Sequence, residues 1–128
     1  MSVPKWLNAV IREFGESINL REFELNSRGV ASLRFETGCQ LRFEYAFESL
    51  AVVMQVPASD QPGVLKRLLG YAQPERRLPF CLRVAYLEKA SSAVLLARLA
   101  EREVSLPVIN TVFTELWRLS EDFRRRMA

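Results

Sequence analysis

Apolar positions change their period several times along the chain, and each change marks an element. Over residues 4–18, Leu7, Val10, Ile11, Phe14 and Ile18 recur at helical spacing while Asn8, Arg12, Glu13 and Glu16 point the other way. That spacing predicts an amphipathic helix. Pro4 suits its first position, Gly15 weakens its end, and Trp6 lies at the margin of the stripe. Residues 21–26 read as a short extended piece, and Asn26-Ser27-Arg28-Gly29 as a turn. Three strand patterns follow. In 30–36, Ala31, Leu33 and Phe35 alternate with Ser32, Arg34 and Glu36. In 41–48, Leu41, Phe43, Tyr45 and Phe47 alternate with Arg42, Glu44, Ala46 and Glu48, so all four large residues are expected on one buried face. Residues 50–56, LAVVMQV, are apolar on both sides, as in a central strand covered on both faces. The connectors Thr37-Gly38 and Glu48-Ser49 are short, which predicts an antiparallel meander.

The second half begins with a loop from Pro57 to Pro62. Asp60 is the expected cap of a helix over 62–72, with Pro62 in its first turn and Val64, Leu65, Leu68, Leu69 and Tyr71 as its apolar residues. Two prolines in QPERRLP interrupt the chain again. In 80–88, Phe80, Leu82, Val84 and Tyr86 alternate with Cys81, Arg83, Ala85 and Leu87, and both sets are largely apolar. Lys89-Ala90-Ser91-Ser92 is read as a hairpin loop that returns as a strand over 93–99. A helix over 93–103 is the rival reading, because Ala, Leu and Arg are good helix formers. Residues 105–126 form the longest predicted helix, capped by Ser105. Its inner stripe is Ile109, Val112, Leu116, Leu119 and Phe123, and Phe113 and Trp117 widen it to one side. The order α-β-β-β-α-β-β-α predicts one α+β domain spanning 1–128, with three helices and a five-stranded antiparallel sheet.

Length and composition agree with that picture: 128 residues, 49% hydrophobic and 26% charged, suit one folded domain. There is no histidine, which removes His general bases, His-dependent triads and His metal ligands. The five glycines are scattered, so no phosphate-cradling loop exists. Cys39 and Cys81 are too few for a structural zinc site. They can form one disulfide, but both sit in apolar strand-like runs, so reduced, partly buried thiols are expected. Glu22, Glu24, Glu44 and Glu48 read as solvated. No catalytic centre, metal or cofactor is expected. The first 18 residues lack the features of a secretory signal, and no stretch nears the roughly 20 apolar residues of a membrane span. A soluble, intracellular protein is therefore expected.

The net charge is +3, and 15 of the 18 cations are arginines. They gather at Arg76-Arg77 and at Arg124 to Arg126. Those clusters leave open a regulatory or nucleic-acid-binding α+β protein. Against it, strand arginines have a nearby glutamate (Arg34 with Glu36, Arg42 with Glu44), which suits cross-strand ion pairs on a wet face. More informative is the apolar content of 50–56, 80–87, 93–99 and 106–123, which exceeds what one buried face per element needs. A domain of this size buries only about two-thirds of its unfolded surface. Some of the excess is therefore expected to meet another chain, with 62–72 and 80–87 the first candidates for a dimer interface.

The stretch WLNAVIREFGESINLREFELNSRGVASLRFETG resembles class I type III secretion chaperones, the Tir-chaperone-like proteins. These open with a helix of the form L-x-x-F-x-x-x-I-G-L, continue as L-x-L-[DN]-x-x-G, and then enter a strand with L-x-F-[DE]. Matching positions are Phe14, Ile18, Leu20, Phe23, Leu25, Asn26, Gly29, Leu33, Phe35 and Glu36. Asn19 stands where the family often has glycine, and the chain is basic where the family is usually acidic. The resemblance implies a bacterial cytoplasmic chaperone without enzymatic activity. It implies a dimer that keeps the N-terminal region of a secreted effector extended, in the service of protein transport and virulence. It further implies effector contacts at Trp6, Val10, Ala31, Leu33 and Phe35. The implied dimer interface comprises Val64, Leu65, Leu68, Leu69, Leu82, Val84 and Tyr86. An adaptor subunit of a secretion assembly is the remaining alternative.

Overall fold

The computed structural model describes residues 2–74 and 77–128. Arg76, half of one expected cationic cluster, lies outside the described residues. The elements are α1 (Lys5–Ser17), β1 (Val30–Arg34), β2 (Gln40–Ala46), β3 (Ser49–Pro57), α2 (Val64–Tyr71), β4 (Leu82–Leu87), β5 (Ser92–Ala100) and α3 (Leu106–Arg126), with a 3-10 turn at Glu101–Glu103 before α3. The fold is α+β, and its order is the one the hydrophobic pattern predicts. The five strands lie in the order β1-β2-β3-β5-β4, every neighbouring pair antiparallel.

β1, β2 and β3 form the expected meander. The chain then crosses through α2 to the far edge of the sheet, lays down β4, and returns as β5 between β3 and β4. Residues 92–100 are thus a strand and not the rival helix. β5 is hydrogen-bonded on both sides, and that pairing outweighs the helix preference of Ala, Leu and Arg.

All three helices pack on one face of the sheet. Leu7, Ile11 and Phe14 of α1, Val64, Leu68 and Tyr71 of α2, and Ile109, Val112, Leu116, Leu119 and Phe123 of α3 join one core. Leu41, Phe43, Leu50, Val52, Met54, Leu95 and Ala97 meet them from the sheet. Gly15 is buried in α1 because Phe23 passes over it: a β-carbon there would lie 2.6 Å from the Phe23 Cβ. Asn19, after the helix, has φ 65°, a conformation that glycine adopts freely and asparagine tolerates. Ser105 caps α3, its hydroxyl accepting from the Val108 N–H at 3.3 Å.

Three local expectations are corrected. Phe47 does not continue the buried face of β2. The pairing of Ala46 with Ser49 leaves only Phe47 and Glu48 for the turn, so Phe47 stands at its tip, 99% exposed. Asp60 does not cap α2, whose N-cap is Gly63 at φ 89°, and Pro62 precedes the helix. Cys81 precedes β4 and is exposed, while Cys39 is buried; both thiols are free. β3 is buried on both sides, as its apolar run predicts, although no helix lies over its second side. On that side Ala51 and Val53 are buried.

Candidate partner-binding surfaces

The residues singled out for effector contact fall into two places. Trp6, 44% exposed near the start of α1, lines a cleft of about 410 Å³ with Glu48, Glu101, Arg102 and Val104. This cleft adjoins the β2–β3 turn. Leu33 and Phe35 lie toward the opposite end of β1 and β2, roughly 20 Å away along the strands. Ala31 is buried and Val10 half-buried against the core.

Around Phe35 the fold assembles more than the sequence pattern indicated. The Phe35 ring stands edge-on to Trp117 at 4.8 Å and stacks with Phe113 at 6.3 Å. Phe113 in turn meets Phe14 edge-on at 5.2 Å. Phe14 and Phe43 seal the inner end of this aromatic row, whereas Phe35, Phe113 and Trp117 are only half-buried. β1 is an edge strand, pairing only with β2. The arrangement therefore sets an apolar, aromatic strip beside unpaired backbone donors and acceptors. An extended peptide can use both, adding a strand to the edge and placing alternate side chains on the strip. Phe113 and Trp117 were visible in the sequence only as a broadened stripe on α3. Their link to Phe35 depends on helix–sheet packing.

A second surface lies on α2 and β4. Val64, Leu68 and Leu82 are buried inside the protomer, so they shape this surface without being available to touch a partner. Leu65 and Leu69 are 51% and 49% exposed on the outer side of the short helix. Val84 and Tyr86 are half-buried, and the Tyr86 hydroxyl donates to the Ala58 carbonyl at 2.8 Å. β4 is the other edge of the sheet.

Electrostatics separates the arginines. At the C-terminus, Arg124 pairs with Glu121, and Arg125 and Arg126 pair with Asp122. Asp122 also accepts from the Tyr71 hydroxyl, which, followed by Arg126, holds its carboxyl below the usual carboxylate range. The Tyr45 phenol, hydrogen-bonded to Glu101, is pushed up to about 12. Arg12 pairs with Glu24 at 2.6 Å. Arg42 pairs with Glu44 of its own strand at 3.0 Å rather than across strands. Among the described residues, Arg34 makes no ion pair. No cluster of three Cys, Asp or Glu residues able to hold a metal gathers there, and no helix is long and apolar enough to cross a membrane.

The sequence matches the family described as Type III secretory system chaperone SycN over residues 6–123. The chain belongs to this family of type III secretion chaperones. Solved structures share its fold. A chain of the ExsC–ExsE complex superposes with a TM-score of 0.82 at 20% identity, covering 99% of this chain and 97% of that one. A chain of the Yersinia pestis complex of the type III secretion chaperone SycH with a fragment of YscM2 gives 0.69 at 18% identity, covering 91% and 98%. One from the Pseudomonas aeruginosa ExoU–SpcU heterodimer gives 0.63 at 18%, covering 93% of each. No curated protein matches.

Proposed function

We propose that this chaperone acts as a homodimer, without enzymatic activity, in the bacterial cytoplasm. It holds the N-terminal region of a type III secreted effector extended and ready for export. The observation that carries this reading is the half-buried row Phe35, Phe113 and Trp117 beside the free edge of β1. A disordered client loses chain entropy on binding, so the complex needs backbone pairing and substantial apolar contact together. Leu33 supplies a further apolar position on the same strand, and Trp6 a separate contact farther along the client. The solved complexes named above include a chaperone with a bound protein fragment, which supports a polypeptide partner.

The test is co-expression with the N-terminal region of an effector secreted by the same cell, followed by limited proteolysis. The chaperone is expected to co-purify and to protect a segment of that region. Replacing Phe35 and Trp117 together by Ala is expected to weaken binding at least tenfold, since buried aromatic anchors each contribute on the order of 1–2 kcal/mol or more. Full protection by the double variant would refute this placement. The nucleic-acid alternative loses ground because Arg124, Arg125 and Arg126 are already committed to Glu121 and Asp122.

A further inference from the structure

The face of the sheet turned away from the helices carries its own pattern. Strand register aligns Arg42, Val53, Leu96 and Arg83 in one row across β2, β3, β5 and β4. The next row runs Arg34, Gln40, Gln55, Val94 and Ala85. On the other side lies Glu44, Ala51 and Arg98. An apolar centre of Leu96, Val94 and Ala85, beside the buried Val53, is thus bordered by four arginines. Glu44 is the one carboxylate at a strand position of this face, and Arg42 already holds it. Arg34, Arg83 and Arg98 are exposed, and among the described residues none of the three makes an ion pair. Val94 and Leu96 remain partly open to solvent.

We propose that this open face docks an extended, acidic polypeptide segment in which carboxylates alternate with apolar residues. The spacing points to that occupant. Arg42 and Arg83 are three strand steps apart, about 14 Å. An extended chain crossing the strands places residues i and i+4 about 13 Å apart, with the side chains of i, i+2 and i+4 on one side. An acidic group at i then reaches the exposed Arg83, one at i+4 competes with Glu44 for Arg42, and an apolar residue at i+2 covers Leu96. Guanidinium groups suit carboxylates because they donate two parallel hydrogen bonds. A second copy of the chain would bring the same positive face against itself. A nucleic acid would leave the apolar centre uncovered. The surface is distinct from the β1 edge and aromatic strip.

The experiment uses the full chain without client and a labelled undecapeptide with Glu-Thr-Leu-Thr-Glu at its centre. Fluorescence anisotropy is expected to show binding that weakens at least tenfold between 50 and 300 mM salt. Replacing both Glu by Gln in the peptide, or Arg83→Glu in the protein, is expected to cost at least tenfold. Arg42→Gln is expected to cost a smaller factor, and Lys5→Glu, on α1, to change nothing. Amide shifts at Val53, Leu96 and Arg98 locate the peptide. Absence of binding, equal binding of the Gln peptide, or unchanged binding by a folded Arg83→Glu variant overturns the proposal. So does tighter binding of a 12-nucleotide single-stranded DNA, or a lower oligomeric mass for Arg98→Glu on β5, away from the β4 edge, which would put a second copy on this face. Client protection at the β1 edge is read separately, so either result leaves that reading intact.

Discussion

Phe47 and Glu48 form a two-residue hairpin loop in which both have positive φ, 51° and 56°. This geometry matches the twist of paired strands, but side chains pay for it sterically at about 1 kcal/mol per residue. Strict alternation from Leu41 to Tyr45 carried Phe47 onto the buried face because no Asn or Gly marks the turn. The register of the hairpin ends that alternation one residue early. Replacing Phe47→Asn and Glu48→Gly together is expected to raise stability by about 1–2 kcal/mol. Urea unfolding should show a higher midpoint with an unchanged slope. An equal or lower midpoint would mean that Phe47 contributes packing that outweighs its backbone cost.

Between elements, the hydroxyl of Tyr71 at the end of α2 donates to Asp122 on α3, tying the short helix to the long one. Because this contact depresses the folded-state pKa of Asp122, its contribution is fully present above the unfolded value, near 3.9. It fades as pH falls through the lower folded value. Tyr71→Phe is expected to cost about 1–2 kcal/mol at pH 7, and the difference from the parent should shrink below about pH 4. Thermal melts across pH 2–7 check this, and a pH-independent difference would exclude the charged pair as the cause. The existence of α2 was legible in Val64, Leu65, Leu68 and Leu69, but its start was not. Asp60 and Pro62 have the chemistry of a helix start, yet the chain turns through Gly63 before the first helical residue. The strand over 92–100 was the reverse case. Its local preference permitted a helix, and neighbours on both sides made it a strand.

For the molecule as a whole, the proposed homodimer raises the question of how two copies would meet. With Val64, Leu68 and Leu82 inside the protomer, the surface available on α2 consists of Leu65 and Leu69, next to the free edge of β4. Replacing Leu65 and Leu69 by Asp is expected to give a folded monomer, because exposed positions accept charge in the free subunit and an interface does not. Leu68→Asp, at a fully buried position, is expected to lower the melting temperature steeply. Light scattering with circular dichroism separates the two outcomes. A Leu65/Leu69 variant with the same mass as the parent would rule out this placement of the proposed interface.

Local periodicity carried the eight principal elements, their order, the meander and the α3 stripe, since each is written into consecutive residues by the geometry of one helix or one strand. The family motif rests on residues such as Phe14, Leu33 and Phe35, which also serve that packing. Strand order was beyond such signals, because β5 inserts beside β3 through contacts between distant parts of the chain. So was the placement of all three helices on one face, which left Val94 and Leu96 of β5 at the centre of an open, arginine-ringed surface. The meeting of Phe35 with Phe113 and Trp117 has the same origin: residues nearly 80 positions apart become neighbours only when α3 is laid across the sheet.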